Sequence, residues 1–159
     1  MFRNDGGNQN SWLQVVPRGS ATNHFGLGVR VYAQADPNSP EQLREIVAGG
    51  FMGNSEPMAH FGFGPGVERI DTVRVVFPTS GVEHVYHNVP ARRRLTIYEQ
   101  ACDGDIDGDR AVTFDDLSTL LIHFDAEGVS RFEGDLNDDE RVDLTDLAIM
   151  LANFSAVCE

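Results

Sequence analysis

GDIDGDRAVTFDDLSTLLIHF, Gly104–Phe124, and GDLNDDERVDLTDLAIMLANF, Gly134–Phe154, are two copies of one unit, offset by thirty residues without a gap. Asp105 aligns with Asp135, Asp107 with Asn137, Asp109 with Asp139, Thr113 with Asp143, and Asp116 with Asp146. Counted from Asp105 or Asp135, these oxygens fall at loop positions 1, 3, 5, 9 and 12, the spacing by which one short loop surrounds a hard cation. Calcium takes roughly six to eight oxygens, and position 7 lends only its backbone carbonyl, so Ala111 and Arg141 both suit that place. The expectation is two Ca²⁺ ions. Asp105, Asp107, Asp109, Ala111, Thr113 and Asp116 would hold one, and Asp135, Asn137, Asp139, Arg141, Asp143 and Asp146 the other. A frame begun at Asp103 puts Phe114 at position 12, and phenylalanine cannot ligate. Position 12 also lies three residues after Thr113 or Asp143, a capping-box spacing at a helix start.

An amphipathic helix is expected after each loop. Phe114, Leu117, Leu120, Leu121 and Phe124 recur at helical spacing, and Leu144, Leu147, Met150, Leu151 and Phe154 repeat them. Too few residues precede the first loop for an entering helix, so each unit is a loop plus an exiting helix. The two helices are expected to bury their apolar faces against each other. Val112 and Val142, apolar at position 8, suit a short strand pairing the two loops.

Residues 102–158 resemble a type I dockerin, a small all-α module with two F-hand (loop–helix) calcium motifs. The resemblance implies folding on calcium and docking into a cohesin-like partner. Two departures stand out. Position 6, normally glycine because its φ is positive, is Arg110 and Glu140. Positions 10 and 11, which often carry hydroxyls in that family, are Phe114–Asp115 and Leu144–Thr145.

The net charge of −13 lies entirely in the tail: residues 101–159 hold sixteen Asp or Glu against three Arg, and residues 1–100 hold nine of each. Clustered carboxylates repel without a cation, so the tail should loosen when metal-free. Nothing there would neutralise phosphates, which excludes nucleic acid as a partner. Every basic residue is Arg. Cys102 and Cys158 bracket the repeats, and a pseudo-twofold fold would bring them together as a disulfide, the alternative being two free thiols. A disulfide and calcium both point to an extracellular or cell-surface setting. The opening MFRNDGGNQNSWLQV has no apolar core and no stretch is long enough to span a membrane, so a C-terminal piece of a longer exported protein is expected, the alternative being a misplaced start.

Residues 1–99 read as a β domain and 100–159 as the calcium module. Trp12–Val16, Leu27–Ala35, Leu43–Met52, Ile70–Phe77, Glu83–Val89 and Leu95–Tyr98 are the expected strands, punctuated by Gly and Pro, which suggests an antiparallel sandwich or barrel. TNHFGLGVRV (Thr22–Val31), QLREIVAGGFMGN (Gln42–Asn54), HFGFG (His60–Gly64) and VERIDTVRVVFPTSG (Val67–Gly81) are similar, in order and spacing, to the ASPIC/UnbV domain. That resemblance implies a place at the end of extracellular repeat-propeller proteins and carries little chemistry. No Ser elbow, catalytic Cys or phosphate loop is present; His24 and His60 read as turn residues, and no enzyme activity is expected. The expected function is a non-catalytic extracellular module with a calcium-dependent docking tail. A carbohydrate-binding accessory of a polysaccharide-degrading system is the alternative, which a row of exposed aromatics among Trp12, Tyr32, Phe51, Phe61, Tyr86 and Tyr98 would favour, with glycan as the partner.

Overall fold

Alternation of apolar and polar residues builds the first hundred residues into two facing sheets. The computed structural model describes residues 9–47 and 56–158. The strands are β1 (Asn10–Arg18), β2 (Arg30–Gln34), β3 (Gln42–Glu45), β4 (Ala59–Pro65), β5 (Arg69–Val76), β6 (Glu83–Pro90) and β7 (Arg93–Tyr98). One sheet runs β4–β1–β7 and the other β3–β2–β5–β6. Side chains of period two face inward from both: Leu13 and Val15, Val31 and Ala33, Phe61, Ile70, Val73 and Val75, Leu95 and Ile97 form one core, with Val29 and Phe77 beside them.

The expected sandwich is present, with two differences. The β1–β7 pair is parallel, Leu13 opposite Arg93 through Arg18 opposite Tyr98, because the chain returns to β1 only after crossing through the other sheet. Strand β4 lies where glycines in HFGFG suggested only turns. Gly62 and Gly64 sit where an added Cβ would meet nothing, and Ala59 and Phe61 supply the inward face. Of the strand expected over Leu43–Met52, β3 covers Gln42–Glu45 and Ile46 joins the core; residues 48–52 lie outside the described residues.

The Thr22–Gly28 turn is fixed from two directions. The Asn23 side chain accepts from Leu27 N–H and donates to its carbonyl, each at 3.1 Å. Gly26 has φ of +66°, and a Cβ there would press within 2.8 Å of Pro17, so only glycine fits. Beneath the turn, Glu99 is 2% exposed. Its carboxylate accepts from the Ser20 and Thr22 amides at 2.6 and 2.8 Å and from the Thr22 and Ser80 hydroxyls at 2.7 and 2.6 Å. Burial alone would raise its pKa. The Ser80 and Thr22 hydroxyls and the two amides outweigh that and hold it at about 2.

The tail contributes helices α1 (Phe114–Ile122) and α2 (Leu144–Ala152), with a 3₁₀ turn at Arg131–Glu133 between the repeats. A second core of Ile106, Val112, Leu120, Val129, Leu136, Val142 and Met150 unites them. A disulfide joins Cys102 to Cys158, with Cα atoms 5.9 Å apart.

Because the Glu99 pKa lies below the ordinary carboxylate value, its stabilisation is complete above about pH 4.5 and is lost as pH falls toward 2. Glu99→Gln is expected to cost about 1–3 kcal/mol at neutral pH and to flatten that acid-side loss. Urea midpoints measured from pH 2 to 7 check both effects.

Candidate metal centre

The two acidic loops share their closing bonds, although the Gly108 amide bond to Asp105 at 2.7 Å and the Asn137 side-chain bond to Asp139 at 2.9 Å each occur in one copy alone. Asp116, wholly buried, accepts at one oxygen from the Ile106 and Asp107 amides at 2.7 and 3.2 Å, and at the other from the Thr113 amide at 2.8 Å. Asp146, equally buried, accepts from Leu136, Asn137 and Asp143 at 2.7, 3.2 and 2.8 Å. Asp105 draws in the Arg110 amide at 3.0 Å, and Asp135 the Glu140 amide at 2.9 Å. Position 6 has positive φ in both copies, 75° at Arg110 and 66° at Glu140, as the loop path requires.

Two of the expected ligand positions also serve the helices that follow. Asp105, Asp107 and Asp109 bring one carboxylate oxygen apiece within 4.8 Å of one another, the one such cluster among the described residues. In the second loop Asn137 stands between Asp135 and Asp139 and supplies an amide oxygen instead. At position 7, no backbone N–H donates to the Ala111 or Arg141 carbonyl among the described residues, which leaves both acceptors free. At position 9, Thr113 and Asp143 cap α1 and α2 by accepting from the Asp115 and Thr145 amides at 3.2 and 2.6 Å. At position 12, Asp116 and Asp146 complete the capping boxes.

These residues fit a hard dication. Burial, then the Asp116 charge, raises the pKa of Asp107, whose neighbours Asp109 and Asp105 add repulsion. Burial likewise raises Asp105 and Asp135, against the pull of their loop amides. Asp105 is half-buried while Asp107 and Asp109 face solvent; carboxylates crowded together disfavour their own charge, and a cation among them removes that cost. Asp143 is instead lowered by the Thr145 amide.

Two expectations are corrected. Val112 and Val142 do not pair the loops with each other. Val112 exchanges bonds with Ser155 and Ala156, both at 2.9 Å, and Val142 with Asp125 and Ala126, at 2.9 and 3.2 Å. Each loop therefore pairs with the segment leaving the other helix, because those segments fold back past the short helices. Nor do the helices bury their whole apolar stripes. Leu120 and Met150 are fully buried, yet Phe114 and Leu144 are each 72% exposed, and Leu121 and Leu151 also face solvent. Nine-residue helices have too little length for a full face-to-face seam.

The histidines serve locally. His24 packs edge-on to Phe25, His60 to Trp12, and His123 bonds the Thr119 carbonyl at the end of α1. The aromatics form no row: Phe61 is buried, Tyr32 lies under Arg74, Tyr98 under Arg110 and Tyr86 against Phe132, while Phe51 is outside the described residues.

A two-sheet sandwich joined to a duplicated acidic loop–helix tail defines the class of this chain. The chain belongs to the ASPIC and UnbV family, whose model matches residues 19–103. The repeats lie beyond that match. No curated protein is matched. Two crystal structures of type II Cohesin-X-Dockerin complexes from Acetivibrio cellulolyticus are similar. One, a C-terminal interface mutant, is 16% identical over 92% of this chain and 97% of that chain, with a TM-score of 0.36. The other, an N-terminal interface mutant, is 18% identical over the same shares, with a TM-score of 0.31. Likeness this distant fixes neither fold nor partner.

Asp116→Ala would strand three backbone N–H groups, each costing about 1–3 kcal/mol when buried. The expected outcome is loss of the α1 contribution to the far-ultraviolet circular dichroism with the β signal retained.

Proposed function

We propose that residues 102–158 bind two calcium ions and act as a non-catalytic docking module, dockerin-like, carried by the ASPIC and UnbV domain in an extracellular assembly. One observation carries this reading: two loops thirty residues apart present oxygens at the same five side-chain positions, closed by the same bonds of 2.7 and 2.8 Å at Asp116 and Asp146. One acidic loop arises easily by chance, whereas two congruent ones with matching caps imply a common ligand.

The solvent face supports docking. Phe114 and Leu121, and their counterparts Leu144 and Leu151, stand exposed at the same places in each repeat. Exposed apolar patches of this kind mark surfaces that another protein covers. A cohesin-like module is the proposed partner. The Cys102–Cys158 disulfide favours an oxidising compartment, and among the described residues no helix is long and apolar enough to cross a membrane.

Calorimetric titration of the full chain with CaCl₂ is expected to give two ions per chain, and Asp105→Ala with Asp135→Ala to abolish the heat. A heatless titration of the unsubstituted chain refutes the calcium reading. Phe114→Ser with Leu144→Ser is expected to leave the heat intact and to cut retention on immobilised cohesin modules at least tenfold.

A further inference from the structure

The residues that depart from the glycine pattern at position 6 both face the β-sandwich. Arg110 spends a positive φ on a non-glycine side chain, and its guanidinium carbon lies 5.3 Å from the Tyr98 ring centre on β7. Glu140, equally strained, lines a cleft of about 270 Å³ with Asp71, His87 and Asn88 of β5 and β6. Within the first loop, Gly108 comes so close to β7 that an added Cβ would stand 3.3 Å from the Thr96 carbonyl oxygen. That strand is the edge of its sheet, and the loop meets it at Thr96 and Tyr98 beside a cleft of about 420 Å³ that both line.

Just ahead of the second loop, the 3₁₀ turn supplies the tightest contacts of the seam. Glu133 and Arg69 form a bidentate pair at 2.7 and 2.8 Å, with Arg69 also donating to the Asn88 carbonyl at 2.7 Å. The Arg69 pKa is raised, first by its hydrogen bond to Glu133. Phe132 joins the sandwich core and packs 5.0 Å from Tyr86. The Ser130 amide and hydroxyl both hold Glu133, each at 3.0 Å, and the Ser130 carbonyl accepts from the Asp135 amide at 3.3 Å. One short run of chain thus links the Arg69 seat on β5 to the first ligand position of the second loop.

We propose that the β-sandwich and the ion loops are one thermodynamic unit, in which calcium ordering of the loops seats Arg110, Phe132 and Glu133 on β5–β7, and the seated sandwich in turn raises calcium affinity. The proposal rests on the calcium reading above. Linkage makes the effect reciprocal: whatever affinity the sandwich lends the loops, the ions return as stability of the sandwich. Loss of the ions frees the acidic loops to separate, releases the seam, and parts the first loop from the β7 edge.

Trp12, the one tryptophan in the chain, lies on β1 and reports the sandwich alone. Thermal unfolding of the full chain is followed by Trp12 fluorescence, without and with saturating CaCl₂, alongside calorimetry. Calcium is expected to raise the Trp12 transition by at least about 2–4 °C, which corresponds to a roughly fivefold coupling in a chain of this size. Arg69→Gln is expected to weaken calcium binding on the order of fivefold and to shrink that shift. Arg110→Gly, which relieves the backbone but removes the Tyr98 contact, is expected to shrink the shift as well. Calcium heat with an unmoved Trp12 transition overturns the coupling and leaves the calcium reading standing. No heat at all overturns both. The unsubstituted chain decides between these outcomes even if a variant fails to fold.

Discussion

Two buried carboxylates organise the tail. Asp116 and Asp146 each gather two amides from the start of a loop and one from its ninth position. They thereby close the loop and begin the helix with the same side chain. No apolar contact could do this, because only an acceptor with several lone pairs can satisfy three converging N–H groups. The small core around Leu120 and Met150 fills in behind that closure. A tail of under sixty residues buries only a marginal apolar core, and the Cys102–Cys158 crosslink supplements it.

The sandwich solves a different problem with similar chemistry. Glu99 gathers the Ser20–Thr22 turn and the Ser80 hydroxyl around one carboxylate, so the glycine-rich turn lies against the end of β7. On the far side, Gln42 and Arg44 of β3 donate side-chain bonds to the Gly62 and His60 carbonyls of β4. One flank of the sandwich is therefore bridged by β3 side chains, and the tail stands over the other, across a cleft of about 420 Å³. The tail is packed against the sandwich, which the charge division between the halves gave no reason to expect.

Periodicity carried most of the legible fold. Val31 and Ala33, or Val73 and Val75, announce a half-buried strand through the chemistry of single residues, and the structure places them in the core. Strand β4 stayed hidden because Gly62 and Gly64 erase its alternation. Phe114 and Leu144 share the apolar stripe yet stand exposed, because periodicity specifies a face but not what covers it. Arg110 and Glu140 looked like defects in a calcium loop. Tertiary structure alone places Tyr98 beside the first and sets the second on a cleft with His87 and Asn88.

The amino-acid order alone determined the two acid loops, the helices that follow them, the division of charge and the sheet-forming half, since each depends on spacing along the chain. Tertiary structure alone decided the parallel return of β7 beside β1, the exchange of pairing partners behind Val112 and Val142, and the Arg69–Glu133 seam. Those depend on contacts between residues dozens of positions apart, which local propensity does not encode and only the packed chain brings together.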